Sequence, residues 1–171
     1  MRILAVCGSL QRDSANAALL RAVAGAAAAP TTVVLHEPVD TLSHFSPGRD
    51  GGAPVERWRR AVADADAVVV ATPEYAGGMP GVLKNALDWL VGSGELYGKP
   101  AVVVSAAPSI ERGGNARASV ALTLTMQGAR VCDSFTVAIG RGASEEDLVA
   151  IGADVAGRIG AALDVGADVS R

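Results

Sequence analysis

Aromatic side chains make up only 4% of the 171 residues, although half of the chain is apolar. The apolar share is carried by Ala, Val and Gly, a composition that suits helices packed closely on a sheet rather than a core built on large rings. Basic blocks are missing and the formal net charge is −3, which argues against a nucleic-acid footprint and leaves small molecules as the expected partners. No apolar run reaches the length a bilayer requires, so no membrane association is expected. The N-terminus runs into a strand with one Arg and no apolar segment followed by a cleavage site, so the expected location is cytoplasmic. There are two cysteines, Cys7 and Cys132, both in predicted strands, and they read as buried reduced thiols. The two histidines, His36 and His44, have no metal ligands at suitable spacing, which argues against a metal centre and against His-based catalysis.

Strand and helix patterns alternate along the chain. Arg2 to Cys7, Thr31 to His36, Asp66 to Ala71, Lys99 to Ser105 and Arg130 to Ile139 read as strands, several of them with almost no polar interruption. That is the pattern of strands covered on both faces in a parallel sheet. Helices are predicted over Ala17 to Ala28, Val55 to Ala65, Pro80 to Val91 and Asn115 to Gly128, with a last helix that follows Ser144-Glu145-Glu146-Asp147 and runs to about Leu163. Glu37 to Pro54 is a long loop, read as a lid or an interface arm. Strand-helix units in a chain of this length predict an α/β fold: an open, doubly wound parallel sheet of five strands in the order 2-1-3-4-5, with helices on both faces and residues 1–171 as one domain. An eight-unit barrel would need far more residues.

That strand order makes the gap between the first and third strands a topological switch point, where three loops meet. The first carries Gly8, Ser9, Gln11, Arg12, Ser14, Ala15 and Asn16 ahead of a helix start, whose free N–H groups and positive dipole end suit a phosphate. The second runs Pro73-Glu74-Tyr75-Ala76-Gly77, where an exposed aromatic edge beside glycines lets a planar ligand lie against backbone. The third follows Ser105 and contains Arg112, Gly113 and Gly114. No strand is followed by G-x-G-x-x-G or G-x-x-x-x-G-K-[ST], and no acidic residue is placed to hold a ribose after the second strand. A tightly built dinucleotide or triphosphate site is therefore not expected, and a monophosphate head such as that of FMN fits better. Lys84 and Asp88, four apart, are expected to pair at the surface, while Leu83, Leu87, Trp89 and Leu90 are expected in the core.

On these residues the chain resembles the NADPH-dependent FMN reductase family of flavodoxin-like proteins, which includes quinone, chromate and azo-compound reductases. The motif G-S-x-R-x-x-S-x-N is met at Gly8, Ser9, Ser14 and Asn16, and a P-E-Y loop leading into L-K-N-A-x-D-W is met from Pro73 to Trp89. The resemblance implies a flavodoxin-like three-layer sandwich that binds FMN and takes hydride from NADPH or NADH for delivery to a small acceptor. By the same resemblance, Ser9, Ser14 and Asn16 hold the FMN phosphate. Pro73, Glu74, Tyr75 and Gly77 then line the ribityl chain and ring, and Ser105, Gly113 and Gly114 approach the ring from the third loop. Two positions depart from the family. Its arginine falls at Gln11, with Arg12 one place later, and its usual asparagine after the tyrosine is Ala76, which leaves only backbone there. Family members are commonly dimers or tetramers, and Glu37 to Pro54 with the third helix is the expected contact surface.

Two other readings stand beside this one. A flavodoxin-type electron carrier would hold FMN and meet protein partners, but a charge of −3 is modest for such a carrier. A flavin-free hydrolase or transferase on the same fold would need a carboxylate in the crevice, and Glu74 is the visible candidate.

Overall fold

A computed structural model describes residues 1–140 and 142–168. The elements are β1 (Arg2–Cys7), α1 (Ala15–Ala26), β2 (Thr32–Leu35), α2 (Gly52–Ala63), β3 (Ala67–Ala71), α3 (Gly81–Asp88), β4 (Pro100–Ala107), α4 (Gly114–Met126), β5 (Arg130–Ala138) and α5 (Glu145–Asp168). A short 3-10 turn, Val39–Thr41, follows β2. The sheet is entirely parallel, in the order β2-β1-β3-β4-β5.

The near-continuous apolar strands bury both faces, and their alternation sorts side chains into two cores. Leu4, Val6, Val68, Val70 and Val103 meet α2, α3 and α4 through Val55, Trp58, Val62, Leu83, Leu87, Val120 and Leu124. Ile3, Ala5, Val69, Val102 and Val104 meet α1 and α5 through Leu19, Leu20, Val23, Val155 and Ile159. The two tryptophans are both fully buried in the first core, and each indole N–H finds a carbonyl, Trp58 Nε1 on Ala86 O and Trp89 Nε1 on Ser43 O, both at 2.7 Å. A buried indole left without such an acceptor would cost stability, so these contacts orient the rings as well as seat them.

Several local expectations shift. α1 starts at Ala15 because Ser14 caps it, its Oγ accepting from Ala17 N at 3.3 Å. The stretch from Glu37 onward is tied to Asn85 and Trp89 at the end of α3. Ser43 O accepts from Asn85 Nδ2 and Trp89 Nε1, Phe45 N donates to Asn85 Oδ1 at 2.7 Å, and Phe45 stands edge-on to Trp89. Its last residues already belong to α2, which opens at Gly52 and accommodates Pro54 in its first turn. Cys7 and Cys132 are partly exposed rather than buried, Cys7 because it ends β1 and Cys132 because it lies on β5, the edge strand, which is only partly covered along most of its length. Lys84 and Asp88 do pair, at 2.6 Å, and Ser144 and Asp147 exchange the reciprocal bonds of a capping box at the head of α5.

Candidate functional site

The carboxyl ends of β1, β3 and β4 bring the three loops to one edge of the sheet. Gly8 N donates to Ala71 O at 2.8 Å, which ties the first loop to the end of β3. Ser9 Oγ accepts from Gln11 N at 3.3 Å and closes the turn that follows. Ser14 is 3% exposed and caps α1, with its hydroxyl proton still available to a ligand. The amides of Ala15 and Asn16, in the first turn of α1, find no acceptor among the described residues. Gln11 and Arg12 are exposed on the rim.

Asn16 has an occupation that its motif position did not suggest. Its Oδ1 accepts from Ala106 N at 2.9 Å and its Nδ2 donates to Ala106 O at 3.5 Å, so the amide joins the head of α1 to the end of β4. Ser105 is likewise engaged, its hydroxyl donating to Thr72 O at 2.8 Å. The positions nearest the crevice are thus knitted to one another before any ligand is considered.

In the second loop, Tyr75 and Gly78 pair through two backbone bonds of 3.0 Å around a two-residue turn. Ala76 and Gly77 both have positive φ, 49° and 76°. This is the mirror-image hairpin turn that favours Asn-Gly, so the alanine here carries a strain that an asparagine would relieve. The turn lifts Tyr75 into solvent, where 51% of it is exposed. Glu74 instead points back, and its Oε2 accepts from Ala116 N at 3.1 Å in the first turn of α4.

The third loop is pinned from β5, since the Thr136 hydroxyl donates to Arg112 O at 2.8 Å and Arg117 Nε donates to Thr136 Oγ1 at 3.0 Å. At the crevice mouth the Ser109 hydroxyl, followed by a backbone hydrogen bond, lowers the Glu111 carboxyl from its ordinary value. Pro73, Glu74, Ser105, Gly113 and Gly114 line a cavity of about 500 Å³, with Arg112 on its wall. A neighbouring hollow of about 650 Å³, bounded by Gln11, Arg12, Ser14 and Ala15, shares the wall formed by Ala106, Ala107 and Pro108. Free helix N–H groups beside one hollow and a backbone-lined slot in the other fit a phosphate joined to a flat ring system.

The expected site residues all lie at or just beyond the carboxyl ends of β1, β3 and β4, but Ser9, Asn16 and the Tyr75–Gly77 turn stand outside the linings of the two hollows, and the residues divide by role. Ser14, Ala15 and the Tyr75–Gly77 turn leave groups open to a ligand, whereas the side chains of Asn16, Glu74 and Ser105 hold the loops together. Sequence reasoning passed over Thr72, Ala106, Ala107 and Pro108, which form shared wall and anchor points. Thr72 directly precedes Pro73 at the strand end, a position that could have drawn notice. Among the described residues no group of His, Cys, Asp and Glu could hold a metal ion, and no helix is long and apolar enough to cross a membrane.

Comparison with known proteins agrees with this geometry. A 2-hydroxy-1,4-benzoquinone reductase from a Burkholderia species is 37% identical over 109 residues, 61% of this chain and 59% of that protein, so the chain spans about three fifths of that relative's length. An NAD(P)H-dependent FMN reductase from Pseudomonas aeruginosa is 36% identical over 137 residues, 74% of this chain and 69% of its own length. Among solved structures, the flavoenzyme NAD(P)H:(acceptor) oxidoreductase of Paracoccus denitrificans superposes with a TM-score of 0.79 at 25% identity, covering 98% of this chain and 97% of that one. An oxidised flavodoxin from Bacillus cereus, at 14% identity and a TM-score of 0.65, shares the fold. Residues 1–144 match the family described as NADPH-dependent FMN reductase, and the chain belongs to that family.

Proposed function

We propose that the protein is an FMN-dependent NAD(P)H oxidoreductase that reduces a small acceptor such as a quinone, a free flavin, an azo compound or a metal oxyanion. The observation that carries the reading is the meeting of two hollows on one wall, one beside the open amides of α1 and the other lined by Pro73, Ser105, Gly113 and Gly114. When bound, FMN supplies the ring that takes up hydride and passes electrons on. The protein's part is to bind and orient. Ser14 and the amides of Ala15 and Asn16 receive the phosphate, with Ser9, Gln11 and Arg12 at its rim, and the Tyr75–Gly77 turn lies along the ring.

Glu74, a carboxylate that a flavin-free hydrolase would recruit, is already engaged by Ala116 N. The oxidoreductase reading extends to one flavodoxin-like domain, a cytoplasmic location and assembly as a dimer or tetramer. The loop pinned on α3, with Phe45 37% exposed beside Trp89, is the surface we assign to that contact.

The test is a titration of the purified protein with FMN, followed by visible absorbance, and then anaerobic addition of NADPH to the same sample. Saturable binding with bleaching of the oxidised-flavin band is the expected result. Binding without bleaching would favour a carrier, and an unchanged spectrum throughout the titration would send the assignment back to a flavin-free crevice.

A further inference from the structure

α4 begins without a cap of its own. Gly113 stands at the capping position with φ 81°, and a β-carbon there would lie 2.4 Å from Ser105 Oγ, so a Ser, Asp or Asn cap has no room. Glu74 fills the role from 42 residues away, its Oε2 accepting at 3.1 Å from Ala116, the third residue of the helix and one of those a cap side chain would serve. Its negative charge also faces the positive end of the helix. A second tie lies deeper in the sheet, where the Ser105 hydroxyl donates to Thr72 O and Thr72 N donates to Val104 O at 2.9 Å. The segment after β3 is thus fastened at two levels, to the end of β4 through Thr72 and to the head of α4 through Glu74. Pro73 lies between them in the chain, on the wall of the cavity.

We propose that Glu74 is a positioning residue of the cofactor pocket. Its carboxylate caps α4 from the neighbouring loop, sets the separation between the Pro73–Tyr75 segment and the Gly113–Gly114 turn, and cancels the positive helix end that would otherwise face the crevice. The proposal rests on the flavin reading for what the pocket holds, while the clamp between the loops stands on the protein alone.

Three variants separate reach from charge. Glu74→Gln keeps an acceptor of the same length without the charge, Glu74→Asp keeps the charge but is one methylene short, and Glu74→Ala has neither. In FMN-free protein, amide hydrogen exchange over residues 114–117 should rise about tenfold in the Ala and Asp variants and stay near wild type in the Gln variant. FMN dissociation constants, read by fluorescence quenching, should follow the same order, with about tenfold weakening in the Ala variant. The flavin midpoint potential of the Gln variant should move to a more positive value, because a negative charge beside the pocket is lost while the geometry is kept. A merely structural role would leave that potential in place.

Wild-type exchange at the head of α4 in both the Ala and Asp variants would overturn the clamp. Raised exchange with unchanged FMN affinity would overturn the positioning role, and an unmoved potential in the Gln variant would overturn the charge compensation at the helix end. A wild-type protein that binds no flavin would instead overturn the reading beneath it, and the exchange comparison would still decide the clamp. Should the Ala variant fail to fold, the comparison of Gln with Asp carries the test.

Discussion

Asn16 and Ala106, 90 residues apart, are joined by two hydrogen bonds between a side-chain amide at the head of α1 and the backbone N–H and C=O of one residue at the end of β4. Asn16 is 3% exposed, so both bonds are sheltered from water. Replacing it with Ala strands the Ala106 N–H and C=O in a dry environment, which costs about 1–3 kcal/mol. Asn16→Ala should lower the urea midpoint accordingly. Asn16→Asp should fare little better at neutral pH, because its carboxylate can accept from the amide but faces the Ala106 carbonyl. A midpoint within error of wild type for the Ala variant would place the α1–β4 joint elsewhere.

Ala76 has φ 49° in a turn whose two central residues both sit in the left-handed region. Asparagine tolerates that conformation better than alanine, so Ala76→Asn should raise stability by roughly 0.5–1 kcal/mol, while Ala76→Val should lower it by more than about 1 kcal/mol. Chemical denaturation of the two variants checks the order. If valine proved as stable as alanine, the turn would not be held in this form.

Ser14 serves α1 as its cap and offers its hydroxyl to the hollow beside it. Ser14→Ala should cost about 1 kcal/mol of stability through the lost cap. In parallel titrations it should also weaken FMN binding more than riboflavin binding, since only FMN carries the phosphate. Equal losses for the two ligands would remove Ser14 from the phosphate site.

His36 stands edge-on to Trp58 with ring centroids 4.7 Å apart, and burial lowers its imidazole below the ordinary 6.5 despite opposing help from the Glu37 carbonyl and charge. The folded protein therefore binds this proton less readily than the unfolded chain does. Its contribution to stability is present above about pH 6.5 and is lost as pH falls from there toward the lower folded value. Urea midpoints measured at about pH 7.5 and about pH 5.5 should fall less in His36→Phe than in wild type. An identical drop in both proteins would assign the acid sensitivity to other groups.

The strands were legible because a strand buried on both faces leaves an apolar run, and Ala67–Ala71 and Pro100–Ala107 are such runs. The alternation of elements pointed to a parallel, doubly wound sheet, and the order 2-1-3-4-5 chosen for it, which brings the three loops together, is the order of the folded chain. Helix limits were less legible, since Ala-rich segments blur the contrast between faces, and the start of α1 depended on whether Ser14 capped it or lay outside. The partial exposure of Cys7 and Cys132 was not legible either, because how well a strand end or an edge strand is covered depends on how the elements dock rather than on the strand's composition.

Local pattern alone established an α/β chain with polar and Gly-rich loops at the carboxyl ends of its strands, and turn chemistry marked Pro73 to Gly77 as a candidate ligand edge. Only the folded molecule decided which polar groups remained open to a ligand. Glu74 met Ala116, Asn16 met Ala106 and Ser105 met Thr72, each across a sequence separation that no periodicity records. A side chain has few hydrogen-bonding positions, and one held by a distant peptide is not free for a cofactor. That allocation depends on distances between parts of the chain that become neighbours only when the sheet is assembled.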